Sequence, residues 1–164
     1  MELNLESNRL ILQRVTLKDY SFIKALVNTK GWIQFIGDRQ IHSDKEAKNY
    51  IEKIINIQNI KYWVVTLKDQ NTAIGIITFI KRDSLDFHDL GFAFLPEFGK
   101  NGYAYEATNI VLEQLKLDKT QQTILATTIP ENNKSIQLLE KLGFNFRDKI
   151  ENNGEILSVY LKQI

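Results

Sequence analysis

Leu95-Pro96-Glu97-Phe98-Gly99-Lys100-Asn101-Gly102-Tyr103-Ala104-Tyr105-Glu106-Ala107 follows an apolar run and opens a helical pattern. A helix start leaves several backbone N–H groups without intrahelical partners. Glycines beside it let a diphosphate approach the main chain closely. The segment therefore reads as a strand, an anion cradle and a helix in succession. Upstream, residues 88–95 carry the strand, ended by Pro96. Downstream, helical spacing runs over 104–115, and a β-branched stretch at 123–129 gives the next strand.

Further on, Asn132-Asn133-Lys134-Ser135-Ile136-Gln137-Leu138-Leu139-Glu140-Lys141-Leu142-Gly143-Phe144 sets an N-x-x-S start and an L-G-F end around one short helix. Gly143 is its expected left-handed cap. Two final strands meet at Asn152-Asn153-Gly154, a tight-turn signal, with 156–161 as the last strand. Toward the N-terminus, residues 9–14 alternate as a first strand. Thr16 with Asp19 opens a helix whose apolar face is Leu17, Tyr20, Ile23, Ala25 and Val27. Ser43-Asp44-Lys45-Glu46 is a capping box for a second helix over 44–58. Residues 62–67 and 73–81, rich in β-branched and aromatic side chains, form a hairpin across Asp69-Gln70-Asn71-Thr72. The predicted order is β-α-α-β-β-β-α-β-α-β-β, a mixed α/β fold around one central, mostly antiparallel sheet. It has no repeat or linker, so 1–164 reads as a single domain.

A chain of 164 residues with 43% hydrophobic content can bury a core without covalent staples. It has no cysteine, which removes disulfides, thiolate metal sites and thiol nucleophiles and suits a reducing, cytoplasmic setting. The 21 basic and 20 acidic residues are interspersed, leaving no field for nonspecific nucleic-acid binding. The acidic N-terminal stretch Met1-Glu2-Leu3-Asn4-Leu5-Glu6 has no long apolar run, and no window suits a membrane span. His42 and His88 are the only histidines and have no metal-ligand spacing, so no metal is expected. A P-loop is a poor reading, because Gly102 is not followed by Lys-Ser or Lys-Thr.

The 95–107 and 132–144 segments together resemble the GCN5-related N-acetyltransferases (GNAT). The element order read from periodicity is also the order expected of that family. The stretch Trp32-Ile33-Gln34-Phe35-Ile36-Gly37-Asp38-Arg39 is similar to the ribosomal-protein N-acetyltransferase-like branch. Against the family pattern Q/R-x-x-G-x-G/A, Gly102 and Ala104 fit. Gly99 stands where Gln or Arg is usual, and Lys100 where a second glycine is common. The resemblance implies an acetyl-CoA-dependent transfer of an acetyl group to a primary amine on a protein N-terminus, a ribosomal protein or a small molecule. It also implies a homodimer, which the apolar final strands suit.

By the same resemblance, coenzyme A would contact the backbone of Phe94 and Leu95, the cradle of Gly99, Lys100, Asn101, Gly102, Tyr103 and Ala104, and Asn132. Ser135 would protonate or orient the leaving sulfur, since the tyrosine that many relatives place four residues later is Leu139 here. Asp89, two before Gly91, is the first candidate base for the acceptor ammonium and His88 the second. Asp89 reads equally as an acid pairing with Lys81 or Arg82, and Asn132 as a helix cap. Glu106, in a first helical turn, suits the helix dipole. Trp32, Phe35, Asp38 and Arg39 would wall the acceptor site, with Asp38 attracting a cationic amine, or would in part pack against the sheet. The departures at Gly99, Lys100 and Leu139 also keep open a non-catalytic acyl-CoA-binding module of the same fold.

Overall fold

The computed structural model describes residues 4–164, so Met1, Glu2 and Leu3 of the acidic N-terminal stretch lie outside the described residues. The strands are β1 (Leu5–Glu6), β2 (Leu10–Arg14), β3 (Ile60–Leu67), β4 (Thr72–Ile80), β5 (Asp89–Phe94), β6 (Thr123–Thr128), β7 (Asn145–Asn152) and β8 (Glu155–Gln163). The helices are α1 (Tyr20–Val27), α2 (Lys30–Phe35), α3 (Asp44–Asn56), α4 (Tyr103–Leu115) and α5 (Asn133–Lys141). All strands lie in one 8-stranded sheet of order β1-β2-β3-β4-β5-β6-β8-β7. Every pairing is antiparallel except β5 with β6.

Both sheet faces are covered near the middle, which is why β3 and β4 read as almost continuous apolar runs. One face packs Trp63, Val65, Ile77, Phe79 and Leu90 against α4 and α5 through Ala107, Val111, Leu112 and Leu139. The other packs Tyr62, Val64 and Ile76 against α1, α2 and α3 through Ile23, Leu26, Trp32, Ala47 and Ile51. The Ser43 hydroxyl accepts the Glu46 N–H at 3.1 Å and donates to its carboxylate at 2.9 Å, starting α3 where expected. Asn153 (φ +52) and Gly154 (φ +80) form the β7–β8 turn, and Gly143 (φ +87) caps α5.

Two elements go beyond the sequence expectation. Two-residue β1 pairs with Leu12 and Ile11, and six-residue α2 is started by the Thr29 hydroxyl accepting the Trp32 N–H at 3.3 Å. The face of α1 also differs: Ile23, Leu26 and Val27 are buried, while Ala25 is exposed and Leu17 is 45% exposed. The entry turn Leu17–Asp19 is a 3-10 turn, which changes the phase at which the following helix presents its side chains.

The N-terminal strands buttress α4. Glu106, in its first turn, accepts from the Ser7 hydroxyl at 2.5 Å and from Arg9 Nε at 2.8 Å. Arg9 also donates through Nη1 to the Asn101 carbonyl at 3.0 Å and lies over the Tyr103 ring at 4.4 Å. Burial alone pushes the Glu106 carboxyl up. The Ser7 hydroxyl and then Arg9 overcome that and hold it below the ordinary carboxylate value. A folded-state value below the unfolded one stabilises above about pH 4.5, and that contribution is lost as pH falls through the folded value. Glu106→Gln is expected to lower stability by about 1 kcal/mol at pH 7. The gap to wild type should close in urea denaturation as pH falls below about 4.5; a constant gap from pH 7 to 3 would contradict the assignment.

Candidate functional site

β5 and β6 start as a parallel pair and then part. Their only register position is Asp89 with Leu125, where the Leu125 N–H donates to the His88 carbonyl at 2.9 Å. One residue pair on, the ladder is replaced by a side chain. Asp89, 5% exposed, accepts the Thr127 N–H at 3.2 Å through Oδ1. Its Oδ2 accepts from Arg82 Nε at 2.7 Å and from the Thr127 hydroxyl at 3.3 Å. Burial raises the Asp89 carboxyl above its usual value, opposed by Arg82 and by the Thr127 donors. The pairing partner is thus Arg82; Lys81 instead donates to the carbonyls of Leu85 and Arg82.

Beyond this vertex a cleft opens. The Leu95 N–H donates to Ile74 on β4 at 2.8 Å, whereas the His88 carbonyl points to β6. Strand alternation therefore aims the backbone groups of Phe92 and Phe94 into the cleft. The expected contact at Leu95 is altered accordingly, because its N–H is spent within the sheet. The Phe94 ring lies over Gly75, its register partner, where a Cβ would meet ring carbons at 2.4 to 2.6 Å. His88 stacks on Phe79 at 4.4 Å and feels Lys81, Lys61 and Asp118; burial and then the two lysines lower its basicity. Asp118 lies just past the C-terminus of α4, so His88 sits at the opposite end of that helix from Gly102, roughly 20 Å away for 13 residues.

Leu95 leads into a 3-10 turn (Pro96–Phe98) and then the cradle. Gly99 is extended (φ −68, ψ 162), and the left-handed positions are Lys100 (φ +64) and Gly102 (φ +78). Lys100 thus takes the conformation that a glycine holds most easily. Asn101 Nδ2 donates to the Gly99 carbonyl at 3.0 Å, fixing the turn. The first intrahelical bond of α4 is Glu106 N–H to the Gly102 carbonyl. The N–H groups of Tyr103, Ala104 and Tyr105 precede it and have no partner from the helix ladder. A Cβ on Gly102 would meet only Arg9 Nη2, at 3.6 Å.

At the start of α5, Asn132 Oδ1 caps the helix by accepting the Ser135 N–H at 3.3 Å, which leaves its amide Nδ2 to donate elsewhere. The half-buried Ser135 hydroxyl stands in that first turn, while Leu139 is 1% exposed and belongs to the core. Lys141, the last residue of α5, lies over the Tyr105 ring at 4.5 Å, so the C-terminal end of α5 meets the first turn of α4.

The opposite sheet face holds the proposed acceptor wall. Trp32 is buried with its Nε1 unpartnered, Phe35 is half-buried, and Arg39 is exposed with its guanidinium 5.8 Å over the Trp32 ring. Asp38 Oδ1 accepts the Gln40 N–H at 2.8 Å, a turn-making contact. Sequence reasoning missed Tyr50 and Tyr62, whose hydroxyls are 3.3 Å apart, and Thr78, which pairs in register with both Tyr62 and Gly91. Thr78 Oγ1 would lie 2.7 Å from a Cβ on Gly91, so that glycine makes room for a hydroxyl. Their signal was a polar tip on an otherwise apolar face, visible only once strand register is known.

The model of the family described as "Acetyltransferase (GNAT) domain" matches residues 9–145. An uncharacterized N-acetyltransferase of Bacillus subtilis (strain 168), YnaD, is 26% identical over 141 residues, 86% of this chain and 82% of that one. The crystal structure of an acetyltransferase (GNAT family) from Bacillus anthracis superposes with a TM-score of 0.81 at 22% identity, covering 98% of each chain. RimL, a ribosomal L7/L12 alpha-N-protein acetyltransferase solved in complex with coenzyme A, gives 0.86 at 15% identity, covering 99% of this chain and 98% of that one. The splayed sheet and the open helix N-terminus thus lie in a chain that the family model spans over most of its length, and the protein belongs to the GNAT acetyltransferases, acyl-transferring enzymes.

Proposed function

We propose that the protein moves an acetyl group from acetyl-CoA directly to a primary amine, on a protein N-terminus, a ribosomal protein or a small molecule. The observation that carries this reading is the cleft itself. Backbone groups of Phe92 and Phe94 face the gap between β5 and β6, and the amides of Tyr103, Ala104 and Tyr105 open at a left-handed turn next to it. Acetyl-CoA would supply an activated thioester, an amide-bearing arm and a diphosphate. The arm suits the free strand edge, and the diphosphate suits Lys100, Asn101, Gly102 and the α4 amides. Asn132 Nδ2 serves as a donor on the far side of the cleft. The likeness to YnaD, an uncharacterized N-acetyltransferase, and to RimL, an alpha-N-protein acetyltransferase, supports the class of reaction.

In this reading Ser135 gives the proton at the end of the transfer: its N–H is held by Asn132, and its hydroxyl makes no hydrogen bond among the described residues. Asp89 acts as a positioning residue. Both its oxygens are committed to Arg82 and Thr127, so it holds the strands apart at the vertex. Deprotonation of the amine then falls to water. His88 has no part in this reading, given its place beyond the far end of α4. The reading also includes a cytoplasmic setting, which a chain without cysteine suits. It includes a homodimer through the β7 edge and the adjoining face of β8, where Phe146 on β7 is 55% and Ile156 on β8 is 48% exposed.

Calorimetric titration with acetyl-CoA is expected to give a Kd on the order of micromolar for wild type. It should weaken by at least about tenfold in Gly102→Trp, whose ring would cover the cradle. Circular dichroism must show that variant folded; equal affinity in a folded Gly102→Trp would remove the cradle from the site. Asp89→Asn keeps an acceptor for Thr127 and is expected to retain transfer within about tenfold, whereas loss of a general base costs about 10²–10⁴. A thousandfold fall in kcat, with the fold intact, would make Asp89 the base. Light scattering should report a dimer at micromolar protein, and a monomer at every working concentration would end the dimer reading.

A further inference from the structure

The inference concerns the acceptor and rests on the acetyl-transfer reading above. On the sheet face away from α4, β3, β4 and β5 place Tyr62, Thr78 and Gly91 side by side in register. Tyr50 from α3 reaches the Tyr62 hydroxyl. Arg39 folds back from the loop after α2, its Nη1 3.2 Å from where a Gly37 Cβ would stand and its guanidinium over Trp32. Arg82 leaves the end of β4 and binds Asp89 through Nε, with 46% of its side chain exposed. Burial and then Tyr50 push the Tyr62 phenol up, with Arg39 and Arg82 opposing.

Of the carboxylates near this surface, Asp89 is buried in its ion pair with Arg82, and Asp38 holds the Gln40 amide through one oxygen. Trp32 Nε1, a group that can only donate, has no partner among the described residues. Arg39 bears its charge over an aromatic ring and makes no ion pair among the described residues. A carboxylate would meet Arg39, the outer nitrogens of Arg82 and the hydroxyls of Tyr50, Tyr62 and Thr78.

We propose that the acceptor bears a carboxylate close to its primary amine, with Arg39 as the residue that selects it. The source is either a free amino acid or a short peptide with an acidic residue near its N-terminus. The transfer forms a C–N bond and breaks the C–S bond of the thioester. The amine loses one proton and the released thiolate gains one, so no oxidant or reductant is needed.

The test measures coenzyme A release for matched acceptors: alanine against alaninamide, the C-terminally amidated dipeptide Ala-Glu-NH2 against Ala-Gln-NH2, and spermidine. These are assayed with wild type, Arg39→Gln and Arg39→Glu, and acetyl-CoA affinity is measured in parallel by calorimetry. The wild type should favour the carboxylate member of at least one pair by about tenfold or more in kcat/KM. Preference within the first pair marks a free amino acid, and preference within the second alone marks a peptide. Arg39→Gln should raise KM for that acceptor by about tenfold, leaving kcat and acetyl-CoA affinity nearly unchanged. Arg39→Glu should shift preference toward spermidine. Equal use of acid and amide, preference for spermidine by wild type, or an equal loss on every acceptor in Arg39→Gln would overturn the inference and leave acetyl transfer standing. Turnover of none of these acceptors by protein that binds acetyl-CoA would also overturn it. Failure to bind acetyl-CoA would overturn the proposed function and this inference together.

Discussion

Between β5 and β6 a carboxylate takes the place of a backbone rung. The two strands meet in register only at Asp89 and Leu125; the Asp89 side chain then accepts both donors of Thr127, and the strands separate. Burying a carboxylate costs several kcal/mol unless it is paired and hydrogen-bonded. Arg82 and Thr127 meet that condition here. The contact stops the ladder without leaving the Thr127 N–H orphaned, and it commits both Asp89 oxygens to the fold. The cleft and the chemistry on its acceptor side both follow from this arrangement.

The rest of the fold places groups around the opening. α4 starts at a left-handed Gly102, so its unpaired amides stand at the mouth of the cleft. Glu106, Arg9 and Ser7 tie that helix start to the first strands and fix the cradle from behind. The Phe94 ring over Gly75 settles the last residue of β5, the strand whose free edge lines the cleft. On the opposite face Arg39, Arg82, Tyr50, Tyr62 and Thr78 form a surface of different character, rich in donors. One sheet thus separates the proposed anion-binding end from the proposed acceptor wall.

Much of this was legible in the sequence because the signals were local. The capping box at Ser43 and Glu46, the Asn153-Gly154 turn and the Gly143 cap each depend on a few adjacent residues, and each appears where expected. α2 was not legible: six residues containing Gly31 make under two turns, too few for a period to show. β1 exists only through its partner strand. In the cradle, the glycine pattern gave the location, but which residue turns left-handed was decided by the chain path, and it was Lys100 as well as Gly102. For Asp89, pairing with Arg82 was within reach of sequence, seven residues apart, whereas the bonds to Thr127 cross 38 residues. Tyr62 and Thr78 join the acceptor side only through strand register, which no short motif encodes.

The account's central claim is that the free edge of β5 binds the arm of acetyl-CoA. Amide hydrogen exchange read residue by residue, with and without acetyl-CoA, tests it most directly. Slowed exchange at Phe92, Phe94 and the first amides of α4, with Leu95 already protected in the free protein, is the predicted result. Unchanged exchange along β5 while acetyl-CoA is bound would show that the ligand lies elsewhere and would contradict the account.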